Sequence, residues 1–182
     1  MRKNKESGYT LIELMIMLAI LAILLAIAIP NIKGWLPKHR LQSAARDLAS
    51  NMQLAKMKAI SANNYVTMTF NLPIGGTTYS YAVYVDPDKD LEYDAGEQVI
   101  AKVNLSTYKS VRFDNTKGNG DGTTFANNDD GRPSVAFDGR GLPKNNNGGF
   151  GAGSVWLETT DGNIGMKITV SSAGRITITN YK

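Results

Sequence analysis

Glu13 is the only charged residue in LIELMIMLAILAILLAIAI, the nineteen positions from 11 to 29. As a helix rising about 1.5 Å per residue, this run spans roughly 28 Å, enough to cross a bilayer. An ionised carboxylate at that depth costs about 2.5–3.5 kcal/mol even on the lenient insertion scale, so a partner is expected and a functional role is its default reading. The residues just before it supply one. If the chain is cut after Gly8, Tyr9 carries a new α-amine one helical turn from Glu13. Amine and carboxylate can then pair between neighbouring copies of the helix. Two plainer readings stay open. A signal anchor explains Arg2, Lys3 and Lys5 by the positive-inside rule but leaves Glu13 without a role. A secretory signal peptide would use Ala26-Ile27-Ala28 as an A-x-A site.

A second constellation lies at Asp86-Pro87-Asp88-Lys89-Asp90-Leu91-Glu92-Tyr93-Asp94-Ala95-Gly96-Glu97. Asp86, Asp88, Asp90, Glu92, Asp94 and Glu97 fall at positions 1, 3, 5, 7, 9 and 12 of this window, the ligand spacing of an EF-hand calcium loop, with Glu92 offering its backbone carbonyl at position seven. Leu91 stands where that loop's sharp turn needs Gly, and the flanks read as strands, so the window is not an EF-hand domain. The plainer reading is a solvated acidic hairpin loop. Bound calcium would fix the loop and offset the repulsion among the carboxylates. Nothing in the chain suggests catalysis: cysteine is absent, His39 is the only histidine, and no Ser/His/Asp, P-loop or zinc-ligand spacing occurs.

These residues must be positioned by the elements around them. Leu41, Ala44, Ala45, Leu48, Met52, Ala55 and Ala59 recur at three- and four-residue spacing, with Lys38, Arg40, Arg46, Asp47, Lys56 and Lys58 mostly off the stripe. This predicts an amphipathic helix whose small face packs on a sheet. Pro30 and Pro37 each remove a backbone donor, predicting a kink or short break before it. From Asn63 the period becomes two. Strands are predicted over Tyr65–Asn71, Thr78–Val85, Gln98–Leu105, Ser110–Asp114, Ser134–Asp138, Ser154–Thr160, Met166–Ser171 and Arg175–Tyr181, with turns at Gly75-Gly76, Asp161-Gly162 and Ala173-Gly174. Gly, Asn and Asp dominate 115–132 and 145–153, predicting mobile loops that bury little. Without cysteine, stability must come from packing. The formal charge of +4 becomes +2 once residues 1–8 are removed, because Arg2, Lys3, Lys5 and Glu6 leave together. Bulk charge alone therefore does not argue for nucleic acid.

Gly8, Glu13, the apolar run and Pro30 together resemble the class III leader of type IV pilins and type II secretion pseudopilins. Tyr9 stands for the more usual Phe. In that family a prepilin peptidase cuts after the glycine and methylates the new N-terminus, here Tyr9, and the glutamate, here Glu13, guides each subunit onto its neighbour's amine. AARDLASNMQLAKMKAISANNYVTMTF, VAFDGRGLP and the closing SSAGRITITNYK resemble the GspH/FimT group of pseudopilins and minor pilins. The resemblance implies a two-sheet β domain on the helix and a place near the filament tip. Some FimT-like minor pilins bind DNA through a C-terminal Gly-Arg-x-Arg motif. Gly174-Arg175-Ile176-Thr177 keeps the first Arg and lacks the second, with Lys182 nearby and Arg132, Arg140 and Lys144 as supplements if folding brings them close.

The expectation is an α+β protein with a long N-terminal helix packed on an antiparallel two-sheet β domain. Residues 1–8 would be the leader, 9–30 the membrane and filament-core helix, 31–62 the amphipathic helix and 63–182 the β domain. Its function would be that of a minor pilin or pseudopilin, needing no cofactor, with calcium as a candidate ligand. It would be held in the inner membrane by a single pass with its C-terminal domain in the periplasm, then assembled into a filament with other pilins. The alternative is a DNA-binding minor pilin for natural transformation.

Overall fold

In the computed structural model, residues 8–182 are described, the side chains of 28–34 excepted. The basic leader residues Arg2, Lys3 and Lys5 lie outside the described residues. One α-helix, α1, runs over Leu11–Ala62, and the chain divides into two compact units, Met1–Leu36 and Pro37–Lys182. Of the expected kink or short break, the break does not occur, because the backbone stays helical through both Pro30 and Pro37. A proline in a helix removes one N–H bond locally, and the turns on either side can continue without it.

In the first unit, the large apolar side chains from Tyr9 to Ile27 are all exposed. A helix that is apolar on every side belongs in a membrane or inside an assembly rather than in water. Among the described residues no helix is long and apolar enough to cross a membrane.

The second unit holds the rest of α1 and nine strands. These are β1 (Tyr65–Ile74), β2 (Thr77–Asp86), β3 (Val99–Val103), β4 (Val111–Phe113), β5 (Ser134–Phe137), β6 (Pro143–Lys144), β7 (Gly153–Thr159), β8 (Gly165–Val170) and β9 (Ile176–Asn180). They form two antiparallel sheets, a five-stranded one in the order β3-β2-β1-β5-β6 and a four-stranded one in the order β4-β7-β8-β9. The Ala-rich stripe of α1 is buried along its whole length, and Leu41, Leu48 and Met52 share one core with Met68, Phe70 and Val135 of the first sheet and Leu157 and Ile168 of the second. Alanines let the helix approach the sheets closely. The helix stops in a Schellman arrangement: Asn63 takes φ 48°, and the N–H of Asn64 bonds to Ala59 O.

The structure alters several expected elements. Leu105–Tyr108 is a 3₁₀ turn after β3, and β6 is an additional short edge strand. Residues 115–132 are not a loop that buries little. Phe125 is 0% exposed and stacks on Phe70 with centroids 5.7 Å apart and planes 11° from parallel. Thr123 bridges to Val155 and Asn127 to Pro133. One aromatic ring in a polar segment is enough to pin it, which composition averaged over eighteen residues hides.

Candidate functional site

The N-terminal site is a helix cap. Thr10 precedes the first helical residue, Leu11, and its hydroxyl accepts the N–H of Glu13 at 3.3 Å. Glu13 Oε2 reciprocates, accepting the N–H of Thr10 at 3.0 Å and its hydroxyl at 2.9 Å. This is a capping box, with Thr at the cap and Glu at the third helical position. Thr10-Leu11-Ile12-Glu13 carries that signature in the sequence itself, at the edge of the apolar run. The carboxylate thus has a partner within its own chain. Both donors sit on one oxygen, leaving Oε1 without a bond among the described residues. Both also come from Thr10, so a cut between Gly8 and Tyr9 leaves the cap intact.

The acidic window folds over the outer face of the first sheet. Asp86 ends β2 fully buried, and its carboxylate accepts Thr67 Oγ1 at 2.6 Å and the backbone N–H groups of Lys89 at 2.7 Å and Leu91 at 3.1 Å. Leu91 adopts φ 63°, the left-handed conformation that position six of a calcium loop requires of its glycine. Leu91 tolerates that conformation because its side chain is buried, its N–H is bonded to Asp86, and its carbonyl accepts from Tyr84 Oη and Asn128 Nδ2. Ligand oxygens of Asp86, Asp88 and Glu97 lie within 4.8 Å of one another, as do those of Asp88, Asp90 and Asp94. Glu92 belongs to neither group. Its carboxylate accepts the N–H of Asp130 at 2.8 Å, which leaves the backbone carbonyl as the group expected of position seven. Burial and the neighbouring carboxylates of Asp86, Asp88 and Asp94 push Glu97 up to about 7, against a hydrogen bond from the Asp94 N–H. Burial likewise raises Asp86.

Of the basic residues, the fold brings together Arg140, Arg175 and one that sequence reasoning missed, Lys56. Asp138 builds the turn that carries Arg140 by accepting the N–H groups of Arg140 at 2.9 Å and Leu142 at 3.0 Å, while the Arg140 guanidinium returns to it at 3.1 Å. Burial alone would raise the Asp138 carboxyl, but these donors hold it below the usual range. This turn packs against the β8–β9 hairpin so tightly that a Cβ on Gly174 would lie 2.5 Å from Gly141 O. Lys56 clamps the junction, donating to Gly174 O at 2.9 Å. Arg175 shares a surface groove with Lys56 and Met57, while Lys89, Arg140 and Lys144 line the next one. Arg132 is paired instead with Asp130.

Lys182 is held differently from the other candidate basic residues. Its ammonium sits 3.0 Å from Asp114 Oδ2 and 2.7 Å from Glu158 Oε2, two carboxylates with almost no exposed surface, and so ties the end of the sheet together. Arg112 holds the other oxygen of Glu158 at 2.9 Å. Sequence spacing gave no sign of this cluster because its members lie on β4 and the residue after it, on β7 and in the segment after β9.

Comparison with known proteins identifies the family. The GspH family, described as type II transport protein GspH, matches residues 44–174, and the prokaryotic N-terminal methylation motif matches residues 3–29. The chain belongs to the GspH family. The pilin-like protein PilA1 of Thermus thermophilus is 30% identical over 170 residues, covering 92% of this chain and 95% of that protein. Type II secretion system core protein G of Aeromonas hydrophila is 34% identical over 67 residues, covering 37% of this chain and 47% of that protein. The solved structure of the type IV minor pilin FimU of Pseudomonas aeruginosa matches at a TM-score of 0.43 and 14% identity, covering 78% of this chain and 90% of that one. The GspH-family chain is therefore a type IV pilin-like protein of the minor pilin or pseudopilin kind, a class that is structural rather than enzymatic.

Proposed function

We propose that the chain is a filament subunit that is stored in the inner membrane, matured by a prepilin peptidase between Gly8 and Tyr9, and assembled through Glu13. Its β domain would face the periplasm before assembly and lie outside the filament core afterwards. The observation that carries the reading is the capped start of α1: Thr10 holds one oxygen of Glu13 and leaves the other without a bond among the described residues. The amine of a neighbouring Tyr9 fits that oxygen as a charge-assisted partner. The methylation motif over residues 3–29 supports the maturation step. N-terminal mass analysis of chain recovered from cells tests it. The expected product begins at methylated Tyr9, and Gly8→Glu should leave the precursor uncut. A wild-type product beginning at Met1 or Ile29 overturns the maturation step.

A second reading is DNA capture. It is favoured by the junction that places Lys56 and Arg175 on one groove beside the turn carrying Arg140, with Lys144 in the adjoining groove. Calcium is a third proposal, confined to Asp86, Asp88, Asp90, Asp94 and Glu97, with Glu92 available only through its backbone carbonyl.

A further inference from the structure

The two sheets have four edges, and three are closed to further pairing. β3 carries Lys102 and pairs with β2 through a register shift at Val83/Tyr84, β4 is only three residues long and carries Arg112, and β6 is two residues long and begins with Pro143. Charge, irregular register, brevity and proline are the devices by which edge strands avoid other chains. β9 has none of them. It reads Ile-Thr-Ile-Thr-Asn and pairs with β8 in unbroken register. The bonds Tyr181 N–H to Gly165 O and Ser171 N–H to Arg175 O fix the phase of that ladder. Residues 175, 177, 179 and 181 bond to β8, so the N–H and C=O groups of Ile176, Ile178 and Asn180 point to the open edge. Their side chains share the core face, because Ile178 pairs with buried Ile168 and Ile176 with buried Val170. Ile178 is still 36% exposed, and Met57 on α1, which lines the groove that Ile176 borders, is 65% exposed. Lys56 and Arg175 stand at the start of the strand, and Arg175 has no carboxylate partner among the described residues.

We propose that β9 is a strand-addition site, occupied in the filament by an extended segment of a different pilin-type subunit. That segment bonds to Ile176, Ile178 and Asn180, lays an apolar side chain over Ile178 and Met57, and sets an acidic residue against Arg175 and Lys56. The cationic start of the strand selects an acidic segment, and the alternating face of β9 sets which of its side chains point inward. The inference rests on the filament reading.

The native chain has no cysteine, so Thr179→Cys in full-length protein gives a single attachment point for a benzophenone cross-linker on intact filaments. The expected result is a cross-linked peptide from another pilin-type subunit that contains an acidic residue. Adding Ile178→Pro, which removes an N–H facing the open edge and none used by β8, should lower the cross-link yield at least tenfold. Ile178→Lys should do the same and decides the matter if the proline variant fails to fold. Arg175→Glu should lower the yield several-fold. Wild-type yield in a folded Ile178→Lys variant, or a cross-link only to this chain's own 175–182 peptide, overturns strand addition. Continued sedimentation of those variants with filaments would leave the subunit reading standing, whereas absence of the wild-type chain from filaments would overturn both.

Discussion

Tyr181 donates its hydroxyl to Asp114 Oδ2 at 2.6 Å, joining the last residues of the chain to a fully buried carboxylate on the far edge of the same sheet. Thr116 and Lys182 bond to the same carboxylate. Burial alone would raise Asp114, but these donors together hold it well below the ordinary carboxylate range.

Tyr181→Phe removes one donor to a buried charge and should cost about 1–3 kcal/mol. A domain of this size loses roughly 2–4 °C of Tm per kcal/mol. The pH dependence follows from the direction of the shift. With the folded value depressed, the stabilisation is complete above the unfolded value near 3.8 and is lost as pH falls through the folded value. The gap in Tm between wild type and Tyr181→Phe should therefore be full at pH 7 and shrink on acidification below 3.8. A gap independent of pH would mean that the hydroxyl does not act through the Asp114 charge.

Glu97 gives the opposite slope. Its carboxyl ionises near 7 in the fold against an ordinary value of 4.5, so the folded state binds more protons in that window and stability falls as pH rises through it. Glu97→Gln should flatten the decline between pH 4.5 and 7. Calcium held by the acidic loop would have to displace the same proton. Millimolar calcium should raise Tm at pH 8, act less at pH 5.5, and do nothing in Asp88→Ala, while Glu92→Gln should keep the response. No shift at pH 8 returns the loop to a hydrogen-bonded turn.

Glu13→Val should be processed after Gly8 yet enter filaments poorly, because the apolar segment inserts more easily while the charge that receives the amine is gone. Thr10→Val separates cap from charge: the carboxylate loses the hydroxyl bond but keeps the Thr10-position N–H, so incorporation should fall less than in Glu13→Val. Quantifying each variant in sheared filaments checks this ordering. Full incorporation of Glu13→Val would remove Glu13 from assembly.

The DNA reading separates residues that sequence alone grouped together. Double-stranded DNA binding, if present, should be independent of sequence and no tighter than about 10⁻⁴–10⁻⁶ M at physiological salt. Arg175→Ala and Arg140→Ala should each weaken it and reduce the slope of log K against log salt by about 0.9. Lys144→Ala tests the adjoining groove, and Lys182→Gln should leave binding unchanged because that ammonium is already spent on Asp114 and Glu158. Polarisation titrations across a salt series read all four, and absence of binding at low salt would end this reading.

Local pattern made several features legible in the sequence alone. The apolar run with its lone Glu13, the stripe from Leu41 to Ala59, the switch to period two after Asn63 and the turns at Gly75-Gly76, Asp161-Gly162 and Ala173-Gly174 all depend on residues a few positions apart. Helix and strand periods are set by the backbone itself, so spacing suffices to read them. Tertiary structure alone decided which charges were available. Arg175 and Lys182 look alike in the sequence, seven residues apart on one strand and its tail. Only the docking of that tail across β4 and β7 buries Asp114 and Glu158 beneath Lys182 and leaves Arg175 on an open groove beside Lys56. The same holds for Phe125, whose burial depends on Phe70 more than fifty residues earlier, and for Glu92, drawn away from its loop by Asp130. A side chain's type fixes what it can bond to, but long-range packing sets how much water it keeps and which partner comes within reach. In a carboxylate or an ammonium, those two quantities decide whether the charge holds the fold together or stays free to bind.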